Sequence, residues 1–181
     1  MTAPKHVLIL RTCNADMSSH GGFVWPESGP VTCPDWKPLA ECGNGLHGAL
    51  FGEGDGGLLN FSTDAKWLVV KVLAADIIDL GGKVKFPGGE VVHCGDQLTA
   101  TTYLGKRAPG RAIIGGTATA GYGGTATAGH RGTAAAGYGG TATAGHSGTA
   151  TAGDRGTATA GDGGTATAGD RGTATAGARG T

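Results

Sequence analysis

The chain has 181 residues, with 14 Lys and Arg set against 14 Asp and Glu, and 38 Gly. Zero formal net charge, with no basic stripe beyond Lys106-Arg107 and Arg111, argues against a nucleic-acid partner. No run approaches the roughly eighteen apolar residues of a membrane span, so no membrane partner is expected, and the length suits one conventional domain plus a repeat.

His6 to Arg11 predicts a first buried strand. The apolar run before Arg11 is too short for a signal segment, which predicts a cytoplasmic or virion-associated protein. From Cys13 to Cys42 the chain is rich in Gly, Pro, Ser and Asp, with a short strand and turn at Gly22-Phe23-Val24-Trp25-Pro26. Asp35-Trp36-Lys37-Pro38 reads as a loop carrying a core aromatic, and Ala49-Leu50-Phe51-Gly52 as a short helix. Trp67 to Val72 is a strand, and Ala75 to Leu80 follows it. Lys83 to Phe86 and Glu90 to Cys94, joined at Pro87-Gly88-Gly89, predict a hairpin. All Trp, Cys and Phe residues lie in residues 1–97. These residues therefore predict a compact β-rich α+β capping domain, with 98–115 as a linker or capping coil.

This half resembles a domain of unknown function found in phage and bacterial proteins ahead of short Gly/Ala/Ser/Thr repeats. The resemblance rests on Cys42-Gly43-Asn44-Gly45-Leu46-His47-Gly48, the Trp67 to Val72 strand and the closing Lys83 to Cys94 segment. It implies no activity.

Cys13, Cys33, Cys42 and Cys94, with His20, His47 and His93, are the residues that could bind metal. No Cys-x-x-Cys pair supports a zinc site, and without a secretory leader the thiols are expected to stay reduced. Gly45-Leu46-His47-Gly48 could set His47 beside a nucleotide, and Cys42 with His47 could pair as nucleophile and base. A Gly-permitted turn with His47 bonded to backbone explains the same residues, so the expectation is no enzyme, no catalytic residue, no cofactor and no metal. A nucleotide-handling enzyme in this half is the alternative.

From Gly116 to Thr181 the chain repeats Gly-Thr-Ala-Thr-Ala-Gly plus two variable residues, with one lapse at Ala135. Thr-Ala-Thr-Ala alternates with the period of a strand, and Gly-x-x-Gly marks a turn. Helix is excluded, since each Gly would cost about 1 kcal/mol; a disordered Gly-rich tract is the competing reading. Every second variable pair matches: Tyr122 with Tyr138, His130 with His146, Asp154-Arg155 with Asp170-Arg171. The true period is therefore sixteen, which predicts a flattened β-solenoid of about four coils over residues 116–181.

Alternation places Ala inward and Thr outward. The outward array is Thr117, Thr119, Thr125, Thr127, Thr141, Thr143, Thr149, Thr151, Thr157, Thr159, Thr165, Thr167, Thr173 and Thr175. The opposite register, with Ala outside, would favour lateral association. The Asp-Arg pairs read as solvated turn charges. Tyr122 and Tyr138 would stack as an edge for self-association.

The pattern resembles the octapeptide repeats of bacterial ice-nucleation proteins, closest at Ala120 to Thr127 and Ala136 to Thr143. It departs from them where Gly replaces Ser before the first Thr and where Asp replaces Tyr after Tyr138. The resemblance implies the solenoid fold and an ice-binding or ice-nucleating Thr face. The residues themselves favour a structural protein that self-associates into homo-oligomers or filaments through solenoid ends or the Tyr edge. The motive is a consensus that continues unchanged to Thr181. Ice binding is the alternative reading.

Overall fold

The structure is a computed structural model that describes residues 5–181. It divides into two compact units, one reaching Arg107 and the other running from Ala108 to Thr181.

The first unit is built on one seven-stranded sheet in the order β2-β7-β4-β1-β3-β6-β5, every neighbouring pair antiparallel. The strands are β1 (His6–Cys13), β2 (Gly29–Thr32), β3 (Leu46–Leu50), β4 (Lys66–Leu73), β5 (Ile78–Asp79), β6 (Val84–Phe86) and β7 (Gly88–Gly95). The apolar sequences of β1 and β4 make them the centre: they pair along their full lengths, from His6 opposite Leu73 to Cys13 opposite Lys66. Ile9, Leu68, Val70, Val72 and Phe86 are almost fully buried in the main core with Trp25. On such burial each large apolar side chain contributes about 1.5–3 kcal/mol. Helix α1 (Gln97–Arg107) follows, packing against β4, β7 and β1, with Ala100 and Leu104 fully buried. Most of this helix occupies the segment expected to be linker.

Two local expectations are corrected. Ala49 and Leu50 end strand β3, and Phe51 turns out of it with φ 52°, so no helix forms there. Pro87-Gly88-Gly89 does not close a hairpin. β6 pairs with β3 and β5, whereas β7 pairs with β4 and β2. One extended run thus changes partners at Pro87, which has no N–H to donate and whose carbonyl instead accepts from Cys33 N–H at 2.7 Å. The glycines after it admit neighbouring backbone: a Cβ on Gly89 would lie 2.6 Å from the Lys71 carbonyl oxygen.

The second unit is a β-solenoid. Its strands are β8 (Thr117–Ala120), β9 (Thr125–Ala128), β10 (Thr133–Ala136), β11 (Thr141–Ala144), β12 (Thr149–Ala152), β13 (Thr157–Ala160), β14 (Thr165–Ala168) and β15 (Thr173–Ala176). Odd and even octads form separate parallel sheets, β14-β12-β10-β8 and β15-β13-β11-β9. Each residue pairs with the one sixteen positions on, as Thr141 with Thr157 and Ala142 with Ala158. Between the sheets lies a core made of Ala alone. Ala134, Ala142, Ala150 and Ala158 are fully buried, while Ala118, Ala120, Ala166 and Ala168 are half-buried at its ends.

The turns separate the glycines by role. Each is closed by an N–H to C=O bond across four residues, such as Gly148 to Gly145 at 3.0 Å. The left-handed position is the second variable residue, at Gly123, Arg131, Gly139, Ser147, Arg155, Gly163, Arg171 and Arg179. The invariant glycines flanking it serve another purpose. A Cβ on Gly145 would stand 2.9 Å from Gly129 C and His130 N of the coil before, and one on Gly148 2.9 Å from Gly132 O. Coils approach so closely at the corners that only glycine fits there.

Candidate functional site: threonine arrays and corner ladders

Because the strands stack in register, outward Thr residues fall into straight columns. On the β9-β11-β13-β15 sheet the columns are Thr125-Thr141-Thr157-Thr173 and Thr127-Thr143-Thr159-Thr175, without a break. The other sheet carries Thr117-Thr133-Thr149-Thr165 and Thr119-Ala135-Thr151-Thr167, the lapse at Ala135 leaving one hydroxyl missing. Every Thr in these columns is exposed or half-exposed, and the Ala between them pack into the core except in the last strand, where Ala174 is exposed. The two residues of a Thr-x-Thr pair are about 7 Å apart along the strand and neighbouring coils about 4.8 Å apart. Each face is therefore a regular grid of hydroxyls and methyls.

The structure adds two residues to the predicted array. Thr133 completes the first column despite the lapse two positions on. Thr181 extends it, with its hydroxyl 3.2 Å from that of Thr165 and its carbonyl accepting from Ala166 N–H at 2.7 Å. Period sixteen signals both positions, since each is a multiple of sixteen from Thr117.

The corners are ladders too. The variable residue in the left-handed position donates its N–H to the coil after it, as Gly139 to Asp154 O and Ser147 to Asp162 O, each at 2.9 Å. Tyr122 and Tyr138 stack with ring centroids 5.3 Å apart and planes 7° from parallel; Tyr122 is 82% exposed. His130 and His146 stack at 5.1 Å on the opposite corner. Further along, Asp replaces the rings and bonds instead of stacking. Asp154 Oδ1 accepts from Asp170 N–H and Asp162 Oδ1 from Ala178 N–H, each at 2.9 Å. Arg155 lies over the Tyr138 ring at 5.7 Å. The Asp residues are thus held by backbone donors of the next coil, which the solvated-charge reading did not foresee.

In the first unit, His47 lies on β3 opposite Lys85 rather than in a turn, and Gly48 is there because a Cβ would collide with Ile9 of β1. Cys42 is exposed and bonded to Lys83, Nζ to Sγ 3.1 Å, which lowers its pKa below the usual thiol range. Cys13, Cys33, Cys42 and Cys94 are all free thiols. Among the described residues no three His, Cys, Asp or Glu gather where a metal ion would be held.

A family described as "Domain of unknown function (DUF7666)" matches residues 7–105, more than half of the chain. The chain belongs to this family. Outside the DUF7666 description, its relatives carry a functional name. It is 45% identical over 102 residues to an ice nucleation protein of Pseudomonas fluorescens, covering 55% of this chain and 8% of that one. It is 43% identical over 100 residues to ice nucleation protein InaU of Pantoea ananas, covering 54% and 10%. It is 38% identical over 107 residues to an ice nucleation protein of Xanthomonas campestris pv. translucens, covering 58% and 7%. The chain thus spans about a tenth or less of these relatives' lengths. The match runs through the N-terminal region, so the likeness to ice nucleation proteins is not confined to the repeat where the sequence first suggests it. No solved structure matches the chain.

The same relatives overturn the cytoplasmic or virion-associated location. They are bacterial proteins named ice nucleation proteins, which are neither virion proteins nor a cytoplasmic family. The short apolar run before Arg11 does not place the chain.

Proposed function

We propose that this DUF7666 protein is an ice-binding or ice-nucleating protein whose working surface is the unbroken threonine grid on β9, β11, β13 and β15. One observation carries the reading: eight outward Thr in two straight columns, held in register by continuous backbone ladders over an alanine core. A rigid grid of this kind orders water without first losing side-chain or backbone entropy. The Thr methyls restrict water between columns, and the hydroxyls anchor it. The ice nucleation proteins matched over the N-terminal region support the reading from a separate part of the chain.

The test is ice shaping and droplet freezing with Thr141→Leu/Thr143→Leu. Activity should be lost while circular dichroism keeps its β signature. The corresponding pair on the other sheet, Thr149→Leu/Thr151→Leu, should do less harm, because that grid already lacks a hydroxyl at Ala135. A wild-type protein that neither shapes nor nucleates ice at high concentration overturns the proposal.

Self-association enlarges such a surface, and the stacked, exposed Tyr122 and Tyr138 favour a lateral mode. Light scattering of Tyr122→Ala/Tyr138→Ala should then show a shift towards monomer. A wild-type chain that stays monomeric at high concentration rules this mode out.

A further inference from the structure

The first unit contains a cleft of about 850 Å³ that the ice reading does not use. Volumes of this size hold a small-molecule ligand. Arg11 reaches into it from β1, its guanidinium carbon 4.4 Å over the Trp25 ring and its Nη1 donating to the His47 carbonyl at 2.8 Å. Arg11 Nε is buried with no partner, and so is His47 Nε2, on the wall of the same cleft. Lys83 stands at the rim, its Nζ donating to the thiol of Cys42 at 3.1 Å.

No carboxylate neutralises Arg11 among the described residues. The two acids that line the cleft, Asp35 and Asp55, keep their charge but take their hydrogen bonds from their own loops. Asp35 accepts from Cys33 Sγ and Asn44 Nδ2, and Asp55 accepts from Gly57 N–H. Burial, then Lys83, Arg11 and Lys85 in turn, drive the His47 pKa down to about 4. The cleft therefore holds buried nitrogens, Arg11 Nε and His47 Nε2, without hydrogen-bond partners, an arrangement that costs free energy unless a ligand completes it. The loop that forms one wall is fixed: Lys85, almost wholly buried, ties it down by donating to the carbonyls of Leu39 and Glu41 at 2.9 and 3.2 Å.

We propose that this cleft binds the phosphate group of a small phosphate monoester, with Arg11, His47 and Lys83 as its donors. Three nitrogen donors suit a group with several terminal oxygens. The apolar lining beside them, Phe23, Trp25, Leu58 and Leu59, receives the organic part of the ester. The same chemistry is offered by a soluble ester or by a lipid headgroup bearing a terminal phosphate.

The experiment is calorimetric titration of the full chain with inorganic phosphate and with AMP. A parallel arm measures co-sedimentation with phosphatidylcholine vesicles containing or lacking phosphatidic acid. Saturable one-to-one binding of AMP, weakened at least tenfold by Lys83→Ala and by Arg11→Gln, is the expected result. On binding, His47 should also take up a proton, raising its pKa in the NMR titration. Binding confined to phosphatidic acid vesicles and sensitive to the same substitutions assigns the phosphate to a lipid. Should Arg11→Gln fail to fold, Lys83→Ala and His47→Gln carry the test, since Lys83 is half-exposed on the rim and His47 is only partly buried. No binding of either kind, or binding that Lys83→Ala and His47→Gln leave unchanged, overturns the proposal.

Discussion

At the scale of single residues, the two kinds of position in each solenoid corner behave oppositely. Ser147 adopts φ 55°, a conformation that costs a non-glycine residue about 1–2 kcal/mol, while the glycine it would need is already present at Gly139 and Gly163. Ser147→Gly should stabilise the fold by about 0.5–1 kcal/mol once the unfolded-state entropy of the new glycine is subtracted, and so raise the thermal midpoint. Gly145→Ala should do the reverse, because its Cβ would meet backbone atoms of the previous coil rather than a side chain that can move aside. Thermal melts of the two variants check both signs. His47 gives a pH prediction. Its folded pKa of about 4 lies below the ordinary 6.5, so the unfolded chain binds the extra proton first. The stability it contributes is whole above pH 6.5 and is lost as the pH falls towards 4. Asp35, Glu90 and Asp96 also titrate low, held down by hydrogen bonds or by Lys71, but their loss begins in the more acidic carboxylate range. Between pH 6.5 and 5 the decline therefore belongs mainly to the histidine, and His47→Gln should flatten it in chemical denaturation.

At the scale of elements, alternation and period decide what could be read from the sequence. Thr-Ala-Thr-Ala signals strand and face, and the return of Tyr122 as Tyr138 the size of the coil, so the solenoid's strands and period were legible, while Thr133, Thr181 and the Asp bonds at the corners were not read. Strand β4 was legible for the same reason, as an unbroken apolar run. The partner switch at Pro87 was not. Proline followed by two glycines signals a turn, and only the distant carbonyls of Val31 and Lys71, which come close to Gly88 and Gly89, reveal a bend instead. The cleft was legible only in fragments. His47 and Cys42 stood out as chemistry-bearing residues, but Arg11 looked like the end of a buried strand, and its lack of a carboxylate partner is a tertiary fact. One element-scale prediction concerns the alanine core. Ala142 is fully buried between two neighbours of its own kind. Ala142→Leu should destabilise by about 1–3 kcal/mol or more, because sheets packed for methyl groups cannot part locally without breaking their ladders. Thr141→Leu, one residue away but outward, should leave the melt nearly unchanged.

At the scale of the whole molecule, stability and surface grow together. Each coil adds one set of backbone ladders and one row of each grid, so the repeat follows nearest-neighbour energetics rather than those of a single core. Removing residues 148–163, one full coil, should leave a β-rich protein with every remaining column in line and a lower thermal midpoint. If the grid acts on ice, freezing activity should fall out of proportion to the residues removed, since an ice embryo must reach a minimum area. Droplet freezing temperatures of the wild type and the shortened chain would show whether it does.

The pairing of residues sixteen apart also governs how such a chain tolerates changes in its own length. Tandem coding repeats gain and lose copies by slippage, and here the smallest unit that slips is the octad. Loss of two octads is silent to the architecture. Loss of one, residues 148–155 for example, keeps the backbone stacked but exchanges the faces of everything downstream. Asp162 would then follow Tyr138, where Asp154 now stands, and the unbroken grid would be spliced onto the interrupted one. Inheritance of a continuous surface therefore depends on the parity of the octads gained or lost, and an even count is what keeps the tyrosines, the histidines and both sets of threonines on their own sides.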